Sequence, residues 1–149
     1  MAPPAGGRAT LVATVLASGM VFIDSTVVNV ALPVLQRDLD ADLAGLQWVV
    51  EAYFLTLVAL MLTGGALGDR LGRRRVFLAG TLVFAAASIG CAVAPTVETL
   101  VVGRAAQGIG GALLVPGSLA LIASVFAEAG RGRAIGIWSA ASALTVSIA

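Results

Sequence analysis

Residues 46–75, LQWVVEAYFLTLVALMLTGGALGDRLGRRR, decide how the rest of the chain is read. From Leu46 to Leu67 the run is almost wholly apolar, and its 22 residues reach about 33 Å at about 1.5 Å each, enough to cross a hydrocarbon core about 30 Å thick. Charge then arrives at once, with Asp69, Arg70, Arg73, Arg74 and Arg75. An apolar run that ends in a burst of arginines is a membrane crossing stopped at the cytoplasmic face. Membrane β-strands would alternate apolar and polar residues over about ten positions. This run is apolar nearly all round, so it is read as a helix.

The same pattern recurs on both sides. Charge, Pro and Gly bound five apolar segments: Thr10 to Val34, Leu46 to Leu67, Val76 to Ala94, Leu100 to Phe126, and Ala134 to Ala149. The first four are long enough to span, and the fifth is short and ends on Thr145-Val146-Ser147-Ile148-Ala149 without a polar flank. The sequence is therefore expected to stop inside a fifth crossing and to lack its C-terminal remainder. Composition agrees with a membrane chain: 59% of residues are hydrophobic, 11% are charged, and mean hydropathy is +1.02. Soluble domains carry about 25% charged residues. The first segment follows Arg8 but is too long for the h-region of a signal peptide and lacks a cleavage site, so it reads as a retained helix.

Loop charges set the topology. Arg70 to Arg75, Arg131 with Arg133, and the Arg8 tail belong inside; the connection at Gln36 to Gly45, with Asp38, Asp40 and Asp42, and the turn near Pro95 with Glu98 belong outside. The N-terminus is thus expected in the cytoplasm. Trp48 and Tyr53, near the outer start of the second segment, fit an interfacial aromatic belt, and Trp48 also suits a packing role.

Several chemistries are excluded. A net charge of +1, with its arginines dispersed among short connections, gives nucleic acid no continuous basic patch. The chain has no His and a single cysteine, Cys91, so neither a multi-Cys metal site nor an internal disulfide can form. Cys91 reads as a small residue facing lipid or a neighbouring helix. All 9 basic residues are Arg, as a GC-rich bacterial genome would give. Gly108-Ile109-Gly110-Gly111 follows no strand, so it is a close-packing helix segment and not a dinucleotide loop. Ser118, Ser124 and Ser139 have no base to activate them. An enzyme is not expected.

Three groups of residues remain. Asp24 lies ten positions before the outer end of the first segment at Val34, deep in the apolar phase, where a carboxylate is costly and characteristically faces a cavity used by ions or protons. Arg104 lies within the fourth segment; it either pairs with Asp24 or snorkels to the outer interface. In the third group, Gly64, Gly68 and Gly72 recur every four residues, a spacing that lets helices approach closely. Asp69 among them can accept from a helix N-terminus or pair with Arg70 or Arg73.

Taken together, these residues resemble the major facilitator superfamily, and within it the drug:proton antiporter branch with fourteen transmembrane helices. Gly65-Ala66-Leu67-Gly68-Asp69-Arg70-Leu71-Gly72-Arg73-Arg74 is similar to the family's signature between helices two and three. Asp24-Ser25-Thr26-Val27-Val28-Asn29-Val30-Ala31-Leu32-Pro33 is similar to a first-helix motif of drug exporters. Leu100 to Gly111, with Arg104, Gln107 and Gly108, is similar to a fourth-helix motif associated with proton transfer. The resemblance implies an all-α, polytopic transmembrane bundle, with residues 1–149 forming the first part of an N-terminal six-helix domain.

It further implies a proton-coupled multidrug efflux antiporter in the bacterial inner membrane. Its partners would be protons, an amphipathic or cationic small molecule and membrane lipid, with no cofactor. Asp24 would be the protonatable coupling and substrate residue, with Arg104 its modulator. Gly65, Gly68, Asp69, Arg70, Gly72, Arg73 and Arg74 would form a cytoplasmic conformational latch. Two features depart from the pattern. The fifth-helix antiporter motif, a Gly-Pro pair after a Gly-spaced run, is absent, and Gly136 to Ala149 only approaches it. Glu51 stands where relatives more often place an uncharged residue, either as a solvated interfacial carboxylate or as a second acidic substrate contact. The competing readings are another major facilitator carrier, importing or exporting a metabolite, and a small membrane subunit that transports nothing.

Overall fold

The computed structural model describes residues 6–148, apart from the side chains of residues 129 and 145–148. The expected end of the fifth segment at Ala149 lies outside the described residues. Among those described there are five helices and no strands: α1 (Gly7–Asp38), α2 (Leu43–Leu71), α3 (Arg73–Ala92), α4 (Val97–Val125) and α5 (Glu128–Ile148). The all-α reading holds, and α1 to α4 are each long and apolar enough to cross a membrane.

Each helix begins before its apolar segment, and at α2 and α4 polar side chains cap that earlier start. Asp42 starts α2 by accepting the Gly45 N–H at 2.7 Å. Thr96 and Thr99 exchange side-chain and backbone bonds in a capping box that starts α4. The turn between α1 and α2 closes on Asp40, whose φ of 48° is one that short polar side chains tolerate.

The largest departure from expectation is at residues 64–75. This stretch is not a loop. α2 continues through Asp69 and Arg70 to Leu71, α3 begins at Arg73, and the whole reversal is made by Gly72 at φ 97°. A side chain at Gly72 would be strained by that backbone, although nothing lies within 4 Å of where its Cβ would sit. Gly72 therefore turns the chain, and of the three glycines spaced by four only Gly64 lies tight against a neighbouring helix, Gly68 having nothing nearer than 4.0 Å to an added Cβ.

The helices assemble around α4. In its most apolar stretch 44% of α4 is buried, against 17–28% in α1, α2 and α3. Helices pack this closely where small residues meet. Gly64 of α2 rests on the Ala112 carbonyl, Gly80 of α3 rests on the α4 backbone at Gly110, and Gly108 meets α2 at Tyr53 and Thr56. Residues 108–111 are the close-packing segment expected. Ala17, Val21, Tyr53, Phe77, Phe84 and Leu114 form the main apolar core, and a second cluster of Ile122, Ala134 and Trp138 seats α5.

Candidate functional site

The buried side of α1 carries Thr14, Ala17, Ser18 and Val21, spaced three and four residues apart, and Asp24 continues that stripe by one step. It delivers the carboxylate to α4, whose buried stripe includes Arg104, Gln107, Gly108 and Gly111. Gly108 allows α2 to lie against α4 at the same level, where the Thr56 hydroxyl donates to the Ala105 carbonyl at 3.0 Å. That contact places Tyr53 beneath Arg104.

Arg104 is 1% exposed. Its Nη1 donates to Asp24 Oδ2 and, at 2.7 Å, to Gln107 Oε1, while its Nε donates to the Val49 carbonyl at 3.1 Å. The guanidinium carbon lies 4.4 Å from the Tyr53 ring centroid, a cation–π distance. Of its two sequence readings, pairing is the one realised and snorkelling is not. A buried cation is tolerable only with partners of this kind, since an isolated one costs several kcal/mol. Asp24 differs from it in access: 18% of its side chain is exposed against 2% for Arg104.

Gln107 joins the two charges. Its Nε2 donates to Asp24 Oδ1 at 2.8 Å and to Ser88 Oγ at 2.8 Å; its Oε1 accepts from Arg104 and from the Cys91 thiol at 3.4 Å. Four helices thus meet around the cluster of Asp24, Arg104 and Gln107. α1 brings Asp24, α2 the Val49 carbonyl and Tyr53, α3 Ser88 and Cys91, and α4 Arg104 and Gln107.

Tyr53 was read differently, Ser88 was unforeseen, and Cys91 takes the helix-facing one of its two expected places. Tyr53 is 1% exposed and supports Arg104, so it does not belong to an interfacial belt; Trp48, five residues earlier, is 52% exposed. Cys91 faces a helix and donates to Gln107. Ser88 carried no sequence signal beyond its placement three residues before Cys91. Glu51 takes the Gln47 Nε2 at 2.6 Å on its own helix and lines a shallow apolar groove with Phe54, Leu55 and Val58. No hydrogen bond joins it to Asp24.

At the opposite end of α2, Asp69 Oδ1 accepts from Arg73 Nε at 3.3 Å and Nη2 at 3.2 Å. Arg73 Nη1 continues to the Ala120 carbonyl of α4 at 3.1 Å. The expected partnership of Asp69 therefore falls to Arg73; Arg70 and Arg74 reach outward, and α3 begins without a side-chain cap. Gly65 and Gly68 have more room, with the nearest atom to an added Cβ at 4.0 Å in each case. A second buried polar contact ties α5 to the bundle: Trp138 Nε1 donates to Ser18 Oγ, and Ser18 Oγ donates to Ser118 Oγ, both at 3.0 Å.

The family model described as Major Facilitator Superfamily matches residues 14–149. The chain belongs to the major facilitator superfamily. Its similar relatives include the methylenomycin A resistance protein of Streptomyces coelicolor, 45% identical over 144 residues, covering 92% of this chain and 30% of the relative. The multidrug resistance protein Stp of Mycobacterium tuberculosis is 43% identical over 136 residues, covering 91% of this chain and 25% of Stp. The tetracenomycin C resistance and export protein of Streptomyces glaucescens is 42% identical over 130 residues, covering 87% and 24%. The chain thus spans 24–30% of the length of these relatives. As a major facilitator chain with four membrane-length helices it is a multi-pass membrane protein, from a family of transporters and not of enzymes.

Proposed function

We propose that this chain is the first part of a proton-coupled efflux antiporter for amphipathic, often cationic, small molecules. It would reside in a bacterial inner membrane with its N-terminus in the cytoplasm. The observation that carries the reading is Asp24: a carboxylate on a membrane helix, held by Arg104 and Gln107, yet open over 18% of its side chain. Intramembrane carboxylates that are paired and still reachable are characteristic of proton and ion pathways.

The mechanism follows from competition for that carboxylate. Deprotonated Asp24 holds α1 to α4 through Arg104 and Gln107 and can attract a cationic substrate. Protonated Asp24 loses its charge, and with it the attraction to Arg104. The two states favour different packings of α1 on α4, and a difference of about 1.4 kcal/mol moves a conformational ratio tenfold. The resistance and export functions named for the relatives agree with such a cycle. The substrate site would lie near the bilayer midplane against the remainder of the transporter.

Asp69 and Arg73 are proposed as the cytoplasmic latch. Together they connect the end of α2 to the Ala120 carbonyl of α4, across the one-residue hinge at Gly72.

The test uses the full-length protein in proteoliposomes with an imposed pH gradient and a fluorescent cationic dye. Asp24→Asn, which keeps one oxygen to accept from Arg104, is expected to insert in the membrane while gradient-driven efflux falls to background. Normal efflux from that variant would overturn the coupling role.

A further inference from the structure

The hydrogens around Gln107 are fully assigned by their partners. Ser88 Oγ has one hydrogen, and it is given to the Phe84 carbonyl at 2.8 Å. While it keeps that bond, Ser88 can only accept from Gln107, at 2.8 Å. Arg104 Nη1, at 2.7 Å from the other end of the amide, can only donate. Both ends therefore demand one orientation, with the NH2 group toward Ser88 and Asp24 and the carbonyl toward Arg104 and Cys91. Turning the amide over would set a Gln107 N–H against an Arg104 N–H inside the bundle and leave Ser88 without its donor.

We propose that Ser88 is a positioning residue that, together with Arg104, locks the Gln107 amide, so that protonation of Asp24 parts α1 from α4. This rests on the proton-coupling reading of Asp24. A proton from water added at Oδ1 would set a carboxylic O–H against the Gln107 N–H; one added at Oδ2 would set it against the Arg104 guanidinium. A free amide would absorb the first conflict by flipping, presenting its carbonyl to the new O–H and keeping α1 in place. The locked amide cannot do so. Protonation then costs α1 a hydrogen bond to α4, and a local proton becomes a helix displacement. The charged and titratable groups facing the carboxylate are Arg104 from α4, Tyr53 from α2 and Cys91 from α3, and α5 meets α1 lower down, at Ser18 through Trp138.

The experiment compares Ser88→Ala, Ser88→Thr and Ser88→Cys in the full-length protein, reading dye efflux under a pH gradient and dye–dye exchange without one. In Ser88→Ala the amide keeps only the Arg104 end of its lock, so turning it over meets one conflict instead of two. Gradient-driven efflux is expected to fall about tenfold, with exchange within about twofold of the parent. Ser88→Thr keeps the hydroxyl acceptor and is expected to restore coupled efflux. Ser88→Cys, a weak acceptor of similar size, is expected to fall between them and serves if the alanine variant does not fold. Equal losses in both assays, unchanged coupled efflux in the alanine and cysteine variants, or failure of threonine to rescue would each overturn the proposal. Should Asp24→Asn keep its coupled efflux in the same assay, the proton-site reading fails instead, and the two failures are distinguishable.

Discussion

Gly64 of α2 sits directly over the carbonyl of Ala112 in α4, so close that a Cβ at position 64 would overlap the carbonyl oxygen and carbon. The residue that would normally donate to this carbonyl is Pro116, four positions on, which has no N–H. A missing donor in α4 and a missing side chain in α2 therefore coincide, and the two backbones meet there.

The first prediction follows from that contact. Gly64→Ala should destabilise the purified full-length protein by about 1–3 kcal/mol, the range for overpacking, because the atom it meets is backbone and cannot rotate away. Gly68→Ala, whose methyl would reach nothing nearer than Arg73 Cγ at 4.0 Å, should change stability by less than about 0.5 kcal/mol. Detergent thermal unfolding of the two variants side by side checks the pair, and equal effects would contradict the packing described.

Arg104 supplies the second. Arg104→Met leaves Asp24 and Gln107 facing each other without the cation that both bond, and removing one partner of a buried pair costs about 3–5 kcal/mol. Arg104→Lys should fold better than the methionine variant yet still lose at least tenfold in coupled efflux. A lysine ammonium is a point donor and cannot reproduce the fork that reaches Asp24, Gln107 and the Val49 carbonyl together. Efflux rates and thermal unfolding measured on both variants separate the two effects.

Tyr53 supplies the third, through the ring beneath Arg104. Tyr53→Phe keeps the ring and should leave efflux within about twofold. Tyr53→Leu removes the quadrupole and should cost about 1 kcal/mol or more of stability, the scale of a partly desolvated cation–π contact. A phenylalanine variant as impaired as leucine would assign the role to the hydroxyl.

What the sequence made legible follows from which physical signal was strong. Apolar length declares a crossing, so α1 to α4 could be read without coordinates, whereas the Asp24–Arg104 pair was one of two readings open for a lone deep guanidinium until the structure chose it. Rotation of a helix about its axis leaves a weaker trace in helices apolar nearly all round. Tyr53 looked interfacial because it lies near Trp48, yet five residues turn it onto another face, under Arg104. Ser88 was invisible because a serine in a membrane helix most often bonds its own backbone, which Ser88 also does. Gly72 shared the spacing of Gly64 and Gly68, but spacing cannot distinguish a glycine that packs from one that turns the chain.

The last prediction concerns Asp69 and Arg73. Their side chains are 68% and 42% exposed, and ion pairs this open contribute about 0–1 kcal/mol to stability. Asp69→Asn should therefore unfold at nearly the parental temperature. Its effect should fall on motion instead: Arg73 would lose the carboxylate that steers it toward the Ala120 carbonyl, and the tie between α2, α3 and α4 at the Gly72 hinge would weaken. Turnover should drop severalfold while dye affinity stays within about twofold. Arg73→Lys should do the same, since a single ammonium cannot serve the carboxylate and the carbonyl with separate arms of a fork. Binding and turnover measured on both variants check the latch, and unchanged turnover in either would remove it.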